Sequence, residues 1–225
     1  LTDLDDNFLK IGYSYATAFI APTLYQSYGS LPYVLPNFDL KPETNASHEL
    51  DFSFGKKDRT FVVNASVFSR KEKDVFVYNW DNRKFLNVES NKVKGVELGV
   101  QYHFNEKVNV GGNFSFAEKD NPATRLRSPK QRANAFLEIL PIKNNRINIS
   151  YQYTSKRNDA YYDSSSFSTK NVELEAFHLF NLNINQKITK SLDTYLNVGN
   201  VLNTSYTDVI GYTTKPRNIT LGVEY

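Results

Sequence analysis

The sequence predicts an all-β fold, a transmembrane antiparallel β-barrel, on three observations. First, apolar and small polar residues alternate. Ile147, Ile149, Tyr151 and Tyr153 are set against Asn148, Ser150, Gln152 and Thr154, and the pattern returns in Phe180–Asn185 and Asn218–Tyr225. Side chains alternate faces along a strand, so each segment has one oily and one wet face. Second, the segments commonly reach ten residues or more. An ordinary strand has about five or six, whereas a tilted strand needs about 9 to 11 to cross a bilayer. Third, the chain holds 15 Tyr and 16 Phe. Tyr13, Tyr15, Phe19, Tyr102, Phe104, Tyr151 and Tyr153 fall in the apolar phase near strand ends, where barrels carry aromatic girdles; a soluble sandwich would use such rings as core.

In chain order, strands are expected near residues 7–21, 43–55, 60–79, 84–104, 107–117, 129–140, 145–155, 174–187, 191–200 and 215–225, about ten in all. Short polar turns are expected at Gly55–Arg59, Asn105–Glu106, Leu140–Asn145 and Lys187–Lys190. They alternate with longer connections at Pro22–Pro42, Ala117–Ser128, Ser155–Glu173 and Val201–Lys215, with only Trp80–Arg83 brief on that side. In an outer-membrane barrel the short turns face the periplasm and the long loops face outward. Asp3, Asp5 and Asp6 read as one more periplasmic turn, since the glycine and distant glutamate of a calcium loop are missing.

A mean hydropathy of −0.51 and 40% hydrophobic residues do not count against a membrane, because lipid and lumen faces average out in a barrel. The net charge of +3 mixes 27 basic with 24 acidic residues, so no nucleic-acid surface is indicated. The absence of Cys excludes a disulfide scaffold. With no Met and no leader-like segment at Leu1, the chain is expected to be a partial or processed piece preceded by further strands.

Chemistry is sparse. His48, His103 and His178 lie on separate strands without ligand spacing, so neither a zinc site nor a Ser-His pair is indicated. No metal, cofactor or catalytic residue is expected. Glu49, Asp51 and Glu97 fall in the lumen phase, where they are expected to pair with whatever fills the barrel. The six N-x-S/T triplets, at Asn45, Asn64, Asn113, Asn148, Asn203 and Asn218, are mostly a by-product of alternation.

Five segments in order carry a resemblance: Phe19-Ile-Ala-Pro-Thr-Leu-Tyr-Gln-Ser-Tyr28, Pro36-Asn-Phe-Asp-Leu-Lys-Pro-Glu-Thr44, Glu49-Leu50, Lys94-Gly-Val-Glu97 and Gly199-Asn-Val-Leu-Asn-Thr-Ser-Tyr206. They resemble motifs of TonB-dependent outer-membrane receptors. The resemblance covers residues 1–225 and implies the C-terminal portion, roughly strands 13 to 22, of a 22-stranded barrel. It further implies a plug with a TonB box upstream, energy drawn through TonB, and import rather than catalysis.

Within that family the chain is most similar to the cobalamin receptors, through Leu126-Arg-Ser-Pro-Lys-Gln131, Tyr151-Gln-Tyr153, Arg157, Tyr161-Tyr162 and Gly211-Tyr-Thr-Thr-Lys-Pro-Arg-Asn-Ile-Thr-Leu221. Ser128-Pro129 and the build of residues 159–173 depart from that pattern. The similarity implies cobalamin as ligand, with Arg127 and Tyr162, and beside them Tyr161, as ligand-binding residues. Arg supplies donors in a fixed fork and Tyr a rigid apolar face with a polar tip, which suit a corrinoid's amide rim. The bland readings are a solvated charge for Arg127 and an interface-belt ring for Tyr162. Tyr25, Tyr28, Tyr33, Trp80 and Tyr212 are vestibule candidates, with girdle positions as the alternative. A ferric-siderophore receptor is the second reading. From other classes come an adhesin or structural barrel gripping a surface protein, and an outer-membrane hydrolase, which would need a His-centred cluster.

Overall fold

The computed structural model describes residues 2–225. Its elements run β1 (Thr2–Leu4), β2 (Asn7–Ile20), α1 (Leu24–Tyr28), β3 (Glu43–Lys56), β4 (Phe61–Asn79), β5 (Lys84–Asn105), β6 (Val108–Lys119), a 3-10 turn (Pro122–Thr124), β7 (Gln131–Ile139), β8 (Asn145–Thr154), β9 (Arg157–Asp163), β10 (Ser168–Leu174), β11 (Phe177–Lys187), β12 (Asp193–Gly199) and β13 (Asn218–Glu224). Eleven strands form one antiparallel sheet in chain order, except that β8 pairs with β11; β9 and β10 form a separate hairpin. The fold is all-β, a partial barrel.

The register carries the alternation across the whole sheet. One face holds unbroken apolar rows, such as Ile11–Phe52–Ala65–Leu98–Phe114 and Leu137–Ile149–Leu182–Val198–Ile219. The other face is amide-rich: Asn109–Glu138–Asn148–Asn183–Asn197–Thr220 forms one row. Gln152–Asn134–Asn113–Gly99–Asn64–Ser53 forms another. These amides bond among themselves, as in Asn134 Nδ2 to Asn113 Oδ1 (2.9 Å), Asn185 to Asn183 and Asn183 to Asn197. Glu49, Asp51 and Glu97 lie in the same polar phase, Asp51 and Glu97 both opposite Ser66.

On this polar face glycines receive aromatic rings from the neighbouring strand. Gly95 lies opposite Phe68, Gly111 opposite Phe136 and Gly222 opposite Tyr195. A Cβ on Gly222 would stand 2.2 Å from the Tyr195 ring and one on Gly95 2.4 Å from the Phe68 ring, so only glycine lets the rings lie flat across the strand.

Three expectations need correction. Asp5 and Asp6 form a turn, but Thr2–Leu4 pairs with Asn7–Leu9 as a strand, so Asp3 is not in the turn. Residues 155–173, expected as one long connection, contain the β9–β10 hairpin, and the following strand starts at Phe177 rather than 174. Residues 22–42 include helix α1. Strand ends at 129, 191 and 215 also retreat by two or three residues, to 131, 193 and 218.

Because both faces of a lone sheet are open, buried apolar residues lie chiefly outside the regular barrel wall: Val34, Ala160, Leu174 and Phe177, with Val93 on β5. Most of them therefore belong to the ends of the strands where the long connections gather. β4 and β5 stand above their neighbours there. β3 follows β4 only to Lys73, while β4 and β5 stay paired up to Asn79–Lys84.

Candidate ligand-binding mouth

The first wall of the mouth is the segment between β2 and β3, strapped onto the β4–β5 hairpin. Thr23 and Gln26 cap α1 reciprocally: Gln26 N donates to Thr23 Oγ1 and Thr23 N donates to Gln26 Oε1, a capping box. Gly29 ends the helix at φ 72°, and a Cβ there would meet the Val34 carbonyl oxygen at 2.2 Å. The strap itself is polar. Leu35 N donates to Arg83 O (2.7 Å), Arg83 Nη1 to Pro32 O (2.9 Å), Tyr78 Oη to Tyr33 O (3.0 Å) and Asn37 Nδ2 to Phe85 O (2.8 Å). Asn87 closes it, accepting from Lys41 N and donating to Lys41 O.

The second wall is the β9–β10 hairpin, locked at its base by buried charge. The Asp159 side chain is 0% exposed. Its Oδ1 accepts from Arg127 Nε (2.7 Å) and Ala160 N (2.8 Å), and its Oδ2 accepts from Ile210 N (2.9 Å). Burial works against the carboxylate's charge, but the Ile210 amide, the Arg127 guanidinium and the Ala160 amide outweigh it and hold the carboxyl below its ordinary value. One buried side chain thus ties together the 120–130 connection, the hairpin and the 200–217 connection.

Arg157 makes a second tie. Its Nη2 donates to Thr207 O, Asp208 O and Asp208 Oδ1, and its guanidinium lies 5.3 Å over the Phe177 ring, which packs 4.6 Å from Tyr206. At the hairpin tip Asp163 accepts from Lys170, Ser165 and Ser166, which hold its carboxyl well below the usual range.

A neighbouring network anchors the 120–130 connection. The buried Asn91 donates to Glu72 Oε2 (2.5 Å) and accepts from Thr124 Oγ1 (3.0 Å), while Glu72 takes Arg70 Nε (2.6 Å). Asn200, also buried, does the same for the 200–217 connection through Thr204 and Asn181.

Between the two walls lies a cavity of about 730 Å³ whose lining includes Tyr33, Tyr78, Trp80, Arg83, Tyr162 and Phe167. Tyr78 and Trp80 meet edge to face at 5.0 Å. The cavity joins three residues expected from sequence, Tyr33, Trp80 and Tyr162, which come from three separate segments. Tyr161 sits on the opposite side of β9 from Tyr162, its register partner being Lys170 rather than Thr169. Arg127 is at the hairpin base against Asp159, with its side chain 46% exposed. Tyr25 packs on Phe85 and Tyr28 on Phe38; neither they nor the exposed Tyr212 line this cavity. Sequence reasoning missed Tyr78, Arg83, Phe167 and Asp159. Arg83 and Phe167 adopt left-handed backbone in tight turns (φ 49° and 50°), which no alternation pattern announces.

Chemically the mouth offers flat rings, hydroxyls and one guanidinium, an arrangement for binding. Among the described residues no group of three or more His, Asp or Glu is placed to hold a metal. His48 and His178 lie on the apolar face, each bonded through Nδ1 to a tyrosine hydroxyl, Tyr13 and Tyr151.

The comparisons agree with this architecture. Residues 1–201 match the family model described as TonB dependent receptor-like, beta-barrel. The vitamin B12 transporter BtuB of Vibrio cholerae serotype O1 is 27% identical over 217 residues, covering 94% of this chain and 34% of that protein. Among solved structures, the ferripyoverdine receptor of the Pseudomonas aeruginosa outer membrane superposes with a TM-score of 0.76 at 16% identity, over 99% of this chain and 31% of that one. The siderophore receptor PirA of Acinetobacter baumannii gives 0.77 at 16%, over 99% and 39%. The copper transporter OprC gives 0.77 at 16%, over 99% and 38%. The chain thus spans about a third of the length of the relatives it matches. Family, strand-crossing architecture and likeness to outer-membrane receptors coincide: the chain belongs to the TonB-dependent receptor-like β-barrels of the outer membrane.

Proposed function

We propose that the protein carrying this chain imports cobalamin across the outer membrane, driven through TonB acting on a plug outside this segment. The observation that carries the ligand assignment is the likeness to a vitamin B12 transporter along 94% of the chain. The mouth supports it chemically. Tyr33, Trp80, Tyr162 and Phe167 supply flat apolar area for a corrin face, while Arg83, Ser168 and Thr169 supply donors for an amide-rich rim. Arg127 spends its Nε on Asp159 and lies outside the lining of this cavity; the free end of its guanidinium would meet the ligand only at the hairpin base. Tyr161 would reach the ligand only from the far side of the hairpin. No catalytic role is proposed.

The second reading is a ferric-siderophore receptor, for which the same rings and Arg83 would contact an anionic chelate. Calorimetric titration of the full-length receptor with cyanocobalamin and with a panel of ferric siderophores separates the two. Cobalamin binding that weakens by about 1–3 kcal/mol in both Trp80→Ala and Tyr162→Ala, the cost of losing an aromatic anchor, supports the proposal. Siderophore binding without cobalamin binding transfers it to the second reading. Capture of a surface protein with neither small ligand points to the adhesin class.

A further inference from the structure

The cavity at the mouth carries rings on both of its walls. Tyr33 of the strap and Tyr78 and Trp80 of the β4–β5 hairpin stand on one side, Tyr162 and Phe167 of the β9–β10 hairpin on the other. The rings differ in depth. Tyr33 and Phe167 are 75% and 81% exposed and form the lip, whereas Trp80 is 38% exposed and Tyr78 is half-buried. Trp80 and Tyr78 meet edge to face, which makes the deeper end an aromatic corner.

Hydrogen bonds hold the β4–β5 wall in place: Tyr78 Oη donates to Tyr33 O, Arg83 Nη1 to Pro32 O and Leu35 N to Arg83 O. Other polar groups of the lining remain available. Among the described residues the Trp80 indole N–H, the Asp81 carboxylate and the Nε and Nη2 of Arg83 have no hydrogen-bond partner. On the opposite wall Thr169 lies across from Tyr162 in the hairpin register, with Ser168 beside it.

Size decides how much of a ligand enters. Cavities of about 300–1,000 Å³ enclose a drug-sized molecule, and this one has about 730 Å³. A corrinoid is far larger than a drug, so only one part of it fits. The rings on both walls select that part. A corrin bears side chains along its rim and axial groups on both faces, so it rests against the lip and does not pass between the walls. The base at the end of the nucleotide tail is flat and bare on both faces, and a bare aromatic face is what ring side chains stack upon. The phosphate and ribose that follow it match the free N–H groups of Arg83 and the hydroxyls of Ser168 and Thr169.

We infer that this cavity is a base-recognition subsite, in which Trp80 and Tyr162 take the heteroaromatic base of a complete corrinoid and Arg83 its phosphate, so that the receptor discriminates against corrinoids lacking the base. The inference rests on the cobalamin reading and makes Trp80 a specificity-determining residue within it.

The test is calorimetric titration of the full-length receptor with three probes: cyanocobalamin, dicyanocobinamide, which keeps the corrin and lacks the nucleotide, and AMP as a free nucleotide. Cyanocobalamin should bind about tenfold or more tighter than dicyanocobinamide, the scale of one ring–base stack, and tighter than AMP. Trp80→Ala should bring the two corrinoids to within about twofold of each other, while Trp80→Phe keeps most of the preference. Heat-modifiable gel mobility reports assembly. If Trp80→Ala does not assemble, Tyr162→Ala on the opposite wall should cut the preference by about threefold or more. Equal affinity of the wild type for both corrinoids overturns the subsite and leaves the cobalamin reading standing. So does a Trp80→Ala variant that weakens both corrinoids by the same factor. AMP binding tighter than cyanocobalamin marks a free-nucleotide site and overturns it as well, and binding of neither corrinoid removes the cobalamin reading and the subsite together.

Discussion

Asp159→Ala should unlatch the β9–β10 hairpin while leaving the barrel wall intact. The substitution strands two backbone donors, Ala160 N and Ile210 N, that now reach one buried carboxylate. An unsatisfied buried donor costs about 1–3 kcal/mol. Losing Arg127 adds little, at most about 1 kcal/mol, because its side chain is 46% exposed and water replaces its partner. Allowing for water entering the vacated space, the net cost is about 3 kcal/mol, or roughly a hundredfold in the opening equilibrium. Native-state hydrogen exchange on the full-length receptor reads this directly. Protection should fall about a hundredfold at residues 157–163, 168–174 and around Ile210, yet stay unchanged in β3 and β4; Arg127→Ala, which leaves the buried carboxylate with only its two backbone donors, should lose about ten- to a hundredfold over the same residues. The pH dependence has a fixed sign. Asp159 is held below its ordinary value in the fold, so its contribution is fully present above about pH 4 and is lost as pH falls through the lowered folded value. Unchanged hairpin protection in Asp159→Ala, or a loss spread evenly over all strands, would refute the latch.

Three further outcomes follow. Ile184→Arg should cost about 2–4 kcal/mol in a folding titration into liposomes, the range for a cation at a lipid-facing midplane position, whereas Asn183→Arg on the polar face should stay within about 1 kcal/mol; equal costs would sink the assignment of faces. Gly222→Ala drives a methyl into the Tyr195 ring and should lower stability in the same titration by about 1–3 kcal/mol through overpacking, and Tyr195→Ala in that background should recover part of it. Asn91→Ala removes the amide joining Glu72 to Thr124; a cost of about 1–3 kcal/mol should appear as faster proteolysis confined to residues 120–130, and an unchanged cleavage rate there would dismiss that role.

How far the sequence could be read depended on what buries each segment. β8 was expected at 145–155 and runs Asn145–Thr154, because lipid on one side and water on the other impose a period of two. The hairpin escaped because nothing comparable acts on it. In Arg157-Asn-Asp-Ala-Tyr-Tyr-Asp163 the buried positions are Arg157, Asp159 and Ala160, two of them charged, so hydrophobic periodicity has nothing to register. Its partner Arg127 sits in left-handed backbone (φ 54°), and only the folded loop brings it to Asp159. Helix α1 was recoverable in principle, since Thr23 and Gln26 stand at capping-box spacing. Tyr33, Trp80 and Tyr162 were singled out as aromatic loop residues, but their convergence depends on Arg83 and Tyr78 tying one loop to another strand pair. That is a long-range hydrogen-bond pattern with no local trace.

The amide rows on the inner face have a mechanical consequence. Asparagine both donates and accepts, so Asn113, Asn134, Asn148, Asn183 and Asn197 present a surface that carries no charge and does not titrate. A body sliding along such a surface exchanges one neutral amide bond for another of similar strength, from protein or water, at every step. Ion pairs would instead arrest it at fixed stations. Along these rows resistance to such movement would gather at the charged side chains that interrupt or end them, the carboxylates Glu49, Asp51, Glu97 and Glu138 and the cations Lys10, Arg132 and Arg146.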